Sequence, residues 1–160
     1  MEPFRKRTYR SFGEFAADLR HLWARRKQVR RLTSGKGLDP AFRERIMLAV
    51  TRVNACRFCT FAHSRAALQA GMTRGEVDTL LGGGFGDCPE SELPAVLYAK
   101  DWAEAGGTPD PEAERRLAET YGEEAAADIL LALRIIRAGN LTGNTVDCFL
   151  HRVSFGRLGK

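Results

Sequence analysis

The chain has 160 residues, a hydrophobic fraction of 44% and a formal net charge of +5. This length fits one domain with a substantial hydrophobic core, and the composition is that of an ordinary globular protein. No apolar run reaches the length of a membrane-spanning helix, so the sequence predicts no membrane protein.

The charge is uneven along the chain. Residues 1–37 hold 11 Lys and Arg against 3 Asp and Glu, a balance of +8, whereas the remainder is slightly acidic. A solvated helix face is the simplest interpretation of this basic segment. Contact with nucleic acid, with an acidic protein or with a membrane surface stays open, although no known DNA-binding signature is visible, so nucleic acid is not favoured.

The start of the chain indicates a reducing compartment, which decides how the cysteines are interpreted. The charged start of the chain, Met1 to Arg7, has no apolar segment after it and does not resemble a secretory signal peptide. The sequence therefore predicts a cytoplasmic protein whose four cysteines do not form a disulfide framework. In such a compartment a Cys-x-x-Cys pair is more often catalytic or metal-binding.

The first predicted helix is amphipathic and basic. A capping-box pattern at Ser11 and Glu14 predicts its start, and it should end near Leu32. Apolar residues recur through it at helical spacing: Phe12, Phe15, Leu19, Leu22 and Val29. We interpret residues 1–37 as a basic N-terminal extension and residues 38–160 as the main helical domain.

Two helices follow in close succession. Asp39-Pro40 supplies an N-cap and a proline at the first helical position, and this helix should run to about Val53. Asn54 then has the side chain of an N-cap for the next helix, which should run to Ala70.

The second half of the chain also predicts helices. A capping box at Thr73 and Glu76 opens a short helix, and the glycines at 82–84 and 86 follow as a linker without the Lys-Ser/Thr of a phosphate loop. Further helices are predicted over 91–105, 110–122 and 123–139, with a kink or break at 139–144 before a last helix. No alternating strand pattern occurs, so the sequence predicts an all-α fold of about seven helices.

The candidate chemistry lies in one stretch, Asn54 to His63. On a helix, Cys56, Cys59 and His63 would fall at i, i+3 and i+7, which is one face. The first turn of a helix favours a thiolate through its unpaired N–H groups and dipole. His63 would lie one turn beyond Cys59, within reach of its proton, so the pattern predicts a redox dithiol with its own base.

Two other interpretations of these residues, besides a redox dithiol, stay open. A zinc site could use Cys56, Cys59 and His63 with Glu44, Cys88 or Cys148 as a fourth ligand. Structural zinc usually draws on two separated ligand pairs, and no second Cys-x-x-C or His-x-x-His occurs. The other alternative is a non-catalytic helical interaction module with a vestigial or zinc-filled cysteine site.

The full pattern is Glu44-x11-Cys56-x2-Cys59-x3-His63. It resembles the signature of the carboxymuconolactone decarboxylase superfamily, in the branch of alkylhydroperoxidase D. The resemblance is strongest over residues 38–85. It implies an all-helical fold that assembles as a homo-oligomer, a trimer or a hexamer.

The resemblance also implies an activity, the thiol-dependent reduction of hydroperoxides. By analogy Cys59 would attack the peroxide, Cys56 would resolve the product as a disulfide, and His63 with Glu44 would relay protons. The reductant would be an external dithiol, such as a lipoyl group on a partner protein, and no cofactor is implied. Alkylhydroperoxidase D has a histidine between its cysteines where this chain has Arg57-Phe58, and the founding decarboxylases lack the cysteine pair, which argues against lactone decarboxylation here.

Overall fold

The computed structural model describes residues 4–155 and 157–159, and every regular element in these ranges is an α-helix. The elements are α1 (Phe12–Ala24), α2 (Arg26–Thr33), α3 (Pro40–Asn54), α4 (Arg57–Gln69), α5 (Arg74–Gly82), α6 (Leu93–Glu104), α7 (Pro111–Tyr121) and α8 (Glu123–Val153). The prediction of an all-α fold is confirmed, with eight helices among the described residues. None of these helices is long and apolar enough to cross a membrane.

Helix α3 lies at the centre of the fold. The carboxylate of Asp39 accepts hydrogen bonds from the backbone N–H groups of Ala41 and Phe42, as the sequence predicts. Helix α3 packs against α4, α5, α6 and α8. It is therefore buried around most of its circumference, and Ile46 and Leu48, which point to nearly opposite sides of the helix, are both fully buried. This central position gives its side chains access to α4 on one side and α8 on another.

The predicted single helix at the N-terminus is wrong. Arg25 leaves the helical region at φ −105° and ψ 19°, so two helices, α1 and α2, replace one. Both halves pack against α8. The apolar spacing continues through the break, so periodicity alone does not reveal it. The division of the chain at residue 37 stays a prediction.

The predicted break near residues 139–144 is also wrong. Helix α8 continues through Gly139 and Gly143 for 31 residues. Each internal glycine costs a helix about 1 kcal/mol relative to alanine. That local cost is offset by tertiary contacts, because Asn140 and Asn144 are fully buried here and hydrogen-bonded to other parts of the chain.

The start of helix α5 agrees with the capping box that the sequence predicts. The hydroxyl of Thr73 accepts from the N–H of Glu76, and the carboxylate of Glu76 accepts from the N–H of Thr73. The predicted capping box is therefore confirmed in both directions. The same carboxylate pairs with Arg45 at 2.9 Å, which joins α5 to the central helix.

Candidate active site

The turn between α3 and α4 places the first cysteine. Asn54 is the last residue of α3, so its predicted role as N-cap of the cysteine helix is wrong. Ala55 takes a left-handed conformation, with φ 54° and ψ 37°, and reverses the chain within one residue. Cys56 is itself the N-cap of α4, and its Sγ accepts from the N–H of Cys59 at 3.4 Å. The sulfur thus occupies the position that a Ser or Asp side chain usually takes.

The two motif cysteines are in direct contact. Their Sγ atoms lie 2.8 Å apart, and both are free thiols. Cys56 is fully buried, with an exposed fraction of 0%, whereas Cys59 is only half-buried. Of the two cysteines, Cys59 is therefore the one with surface exposed to solvent.

The two thiols differ in pKa because their environments differ. The hydrogen bond from Cys59 lowers the pKa of Cys56 to about 6, against the effect of burial and with help from the backbone N–H groups of Cys59 and Phe58. The same contact and then burial raise the pKa of Cys59. The contact between the sulfurs therefore favours the thiolate on Cys56 and the proton on Cys59.

His63 and Glu44, which the resemblance implies as a proton relay, are in direct contact. Nδ1 of His63 lies 2.7 Å from Oε2 of Glu44, which is 2% exposed. Oε1 of Glu44 accepts from Nε and Nη2 of Arg43 at 3.1 and 2.9 Å. Burial raises the pKa of Glu44, but the hydrogen bonds and charges of His63 and Arg43 outweigh it, so that pKa lies below its ordinary value.

This arrangement fixes which nitrogen of the imidazole faces Glu44. A carboxylate that stays ionised accepts the proton on Nδ1 of His63, which leaves Nε2 as the basic nitrogen. His63 follows Cys59 by four residues on α4, so the two side chains are neighbours on one helix face. The geometry suits a base that takes a proton from a thiol and returns it.

Helix α8 supplies residues that the sequence analysis missed. Asp147 is fully buried and pairs with Nη2 of Arg57 at 2.9 Å and with Nζ of Lys6 at 3.2 Å. Asn140 is likewise buried and bonds to Thr51. In the sequence, these polar residues and the glycines recur at helical spacing within an otherwise apolar helix. That spacing indicates a polar helix face, whereas the glycines alone predict a helix break.

The motif residues form two contacts, Cys56–Cys59 and Glu44–His63. Among residues 4–155 and 157–159, no group of three or more His, Cys, Asp or Glu side chains is placed to hold a metal ion. The assignment of these four residues to catalysis stays a prediction.

Titration of the dithiol should show the thiolate directly. We expect the ultraviolet absorbance of thiolate in the reduced protein to rise with a midpoint near pH 6, because the pKa of Cys56 is lowered to about 6. Cys59→Ala removes the largest cause of that shift, so the midpoint should move towards the usual range of a thiol, near pH 8.5. Cys148→Ser is the control and should leave it in place. A wild-type protein without absorbance change below pH 8 would contradict this assignment.

Comparison with protein families gives one match. The model of the carboxymuconolactone decarboxylase family matches residues 17–105, more than half of the chain. The match includes Glu44, Cys56, Cys59 and His63, and it ends before α7 and α8. No curated protein and no solved structure matches the chain.

Proposed function

The chain belongs to the carboxymuconolactone decarboxylase family, and from this premise we propose that it is a thiol-dependent hydroperoxide reductase of the alkylhydroperoxidase D type. One observation carries the proposal: the sulfurs of Cys56 and Cys59 are in contact at 2.8 Å, and His63, which pairs with Glu44, follows Cys59 by one helical turn on α4. The test is consumption of an alkyl hydroperoxide with a reduced lipoyl dithiol as the electron donor.

The first step is attack by Cys59 on the peroxide. Cys59 is the more accessible sulfur, and its raised pKa means that it needs a base. Nε2 of His63 takes the thiol proton, and the sulfur then bonds to one peroxide oxygen as the O–O bond breaks. The alkoxide leaves and takes the proton from His63, so the products are a Cys59 sulfenic acid and an alcohol.

The second step is disulfide formation by Cys56. Its sulfur is already ionised near neutral pH and lies against Cys59. The Cys56 thiolate attacks the sulfenic sulfur, the S–O bond breaks, and hydroxide leaves and is protonated to water. The dithiol has then lost two electrons, and the hydroperoxide has gained them.

The third step returns the enzyme to its dithiol. A thiolate of the external dithiol attacks the exposed sulfur of Cys59, and the S–S bond breaks with its electron pair on Cys56. A thiol of low pKa is a good leaving group, so the lowered pKa of Cys56 favours this direction of attack. The second thiol of the donor then releases Cys59 and closes the donor's own disulfide.

Replacing the base should slow oxidation without unfolding the protein. His63→Gln keeps a polar side chain against Glu44 but removes the basic nitrogen, so we expect peroxide oxidation at neutral pH to fall about 100-fold. Stopped-flow measurement of dithiol oxidation checks this, with Arg65→Gln, an exposed change on the same helix, as the control. Equal rates for His63→Gln and the wild type would remove His63 from the mechanism.

We also propose that the chain works as a homo-oligomer, a trimer or a hexamer. Large apolar side chains are exposed to solvent on several helices of a single chain, among them Phe12, Leu19 and Trp23 on α1, and Val146, Phe149 and Val153 on α8. Monomers rarely leave contiguous apolar patches of large size in water. Light scattering should therefore give a mass of three or six chains, and Phe149→Asp should lower it if the α8 face is the contact. A monomer at micromolar concentration would contradict the proposal.

A further inference from the structure

The two N-terminal helices present an aromatic and basic surface to solvent. Phe12, Leu19 and Trp23 on α1 have exposed fractions of 81%, 55% and 72%, although they are large apolar side chains. They line one open groove along α1 and α2 together with exposed arginines, and we call this set the α1–α2 face: Phe12, Leu19, Trp23, Arg20, Arg26 and Arg30. The guanidinium of Arg26 lies 5.4 Å from the centre of the Trp23 ring, so positive charge and aromatic surface are presented side by side.

The carboxylates of these two helices are directed towards α8 instead. Glu14 and Asp18 are the only acidic residues of α1 and α2. Both pair with Arg137 on α8, at 2.7 Å each. Within the part of the chain that the structure describes, no ion pair involves the three arginines of the α1–α2 face, and no acidic residue lines its groove. The face therefore carries three positive charges that no carboxylate neutralises.

We infer that the α1–α2 face binds the surface of a lipid bilayer that contains anionic lipids. Attachment of this kind needs apolar side chains that enter the boundary between head groups and acyl chains, flanked by cations that attract anionic head groups. Tryptophan in particular is favoured at this boundary. The inference does not rest on the proposed function, because it uses no residue of the dithiol site.

A second copy of the chain fits this face less well than a membrane does. A symmetric contact places the same surface of both copies together, so the arginines of one α1–α2 face would oppose those of the other. Like charges brought together across an interface weaken it, whereas anionic head groups are attracted. The exposed apolar side chains of α8 do not line this groove, so they remain available for the oligomer contact proposed above.

Sedimentation with vesicles tests the binding, and Trp23 reports on it. The full chain should pellet with vesicles of phosphatidylcholine and phosphatidylglycerol but not with phosphatidylcholine alone, and added salt should weaken the binding. The emission of Trp23 should shift to shorter wavelength, because its exposed indole leaves water. Trp102, the other tryptophan, is buried and should give a constant background. Trp23→Phe should therefore lose the shift and still pellet.

Two triple variants separate this face from the bulk charge of the protein. The first replaces the arginines of the face: Arg20→Gln, Arg26→Gln and Arg30→Gln. The matched control removes the same charge from three exposed positions on α3, α4 and α5: Arg52→Gln, Arg65→Gln and Arg74→Gln. We expect the first to lower the affinity for anionic vesicles about 100-fold and the control to lower it less than about threefold, because attraction falls off within a Debye length of the surface.

The apolar part of the face has its own variant. Trp23→Ser changes an exposed position and should weaken binding about tenfold without affecting the fold, which circular dichroism checks for every variant. Absence of the wild-type chain from the pellet with anionic vesicles would overturn the inference. An equal loss of affinity in both triple variants would do the same, since it would indicate bulk charge. So would a Trp23 that is already shielded from acrylamide in the lipid-free protein, because a second copy would then cover the face.

Discussion

Cys59→Ser is expected to reduce hydroperoxide turnover to the uncatalysed rate. Serine cannot form the sulfenic acid that the first step requires, and the remaining sulfur, Cys56, has an exposed fraction of 0%. Cys56→Ser should also abolish turnover, but for a different reason, because Cys59 can still react once with peroxide. Its sulfenic acid should then accumulate, and dimedone labelling with peptide mass mapping should locate the label on Cys59.

The two remaining cysteines supply the controls. Cys88 and Cys148 lie outside the contact between Cys56 and Cys59, so Cys88→Ser and Cys148→Ser should keep the wild-type rate. A dimedone label on Cys56 in the Cys59→Ser variant would reverse the assignment of the attacking sulfur. Wild-type turnover in both motif variants would refute the catalytic assignment itself.

Gly143→Ala is expected to damage the site through packing. The new β-carbon would lie 2.8 Å from Sγ of Cys56, closer than atoms pack, so the sulfur or the start of α4 must move. We expect a loss of about 1–3 kcal/mol in the free energy of unfolding, as for other overpacked cores. The absorbance midpoint of Cys56 should also rise, since its contact with Cys59 and its N-cap geometry depend on that position.

Gly139→Ala is the matched control, one turn earlier on the same helix. A β-carbon there meets no atom within 4 Å, so this change should stabilise α8 by up to about 1 kcal/mol through helix propensity. Urea unfolding of the two reduced variants measures both effects. A Gly143→Ala protein that matches Gly139→Ala in stability and in thiol titration would show that α8 does not restrict Cys56.

Helix starts were the most predictable part of the fold. Asp39-Pro40 and the Thr73–Glu76 box define α3 and α5 through contacts within a few residues, which the local sequence contains in full. The end of α3 is different, because the left-handed Ala55 carries no compositional sign. Because nothing in the sequence marks this turn, Asn54 is predicted to be the N-cap of the next helix. Its side-chain amide instead donates a hydrogen bond to Asn140 on another helix.

Long-range contacts explain the remaining errors. Gly139 and Gly143 predict a break from their own propensities, and only the approach of Cys56 to α8 shows why small residues occur within the helix. Contacts between distant parts of the chain also limit how much of the candidate site can be predicted from the sequence. The pairing of Glu44 with His63, which lie on neighbouring helices, was implied by the family resemblance and not by spacing alone. The contribution of α8 comes from about 85 residues further along the chain, and burial, which makes Cys56 and Cys59 unequal, cannot be predicted from a Cys-x-x-Cys pattern.

The most direct test is a thiol count with intact mass before and after one equivalent of hydrogen peroxide, under metal-free conditions. We predict the loss of two free thiols and a mass decrease of about 2 Da, mapped to a Cys56–Cys59 disulfide, with Cys88 and Cys148 still reduced. Four unreactive thiols, or zinc retained through purification, would contradict the peroxidase and favour a non-catalytic helical module.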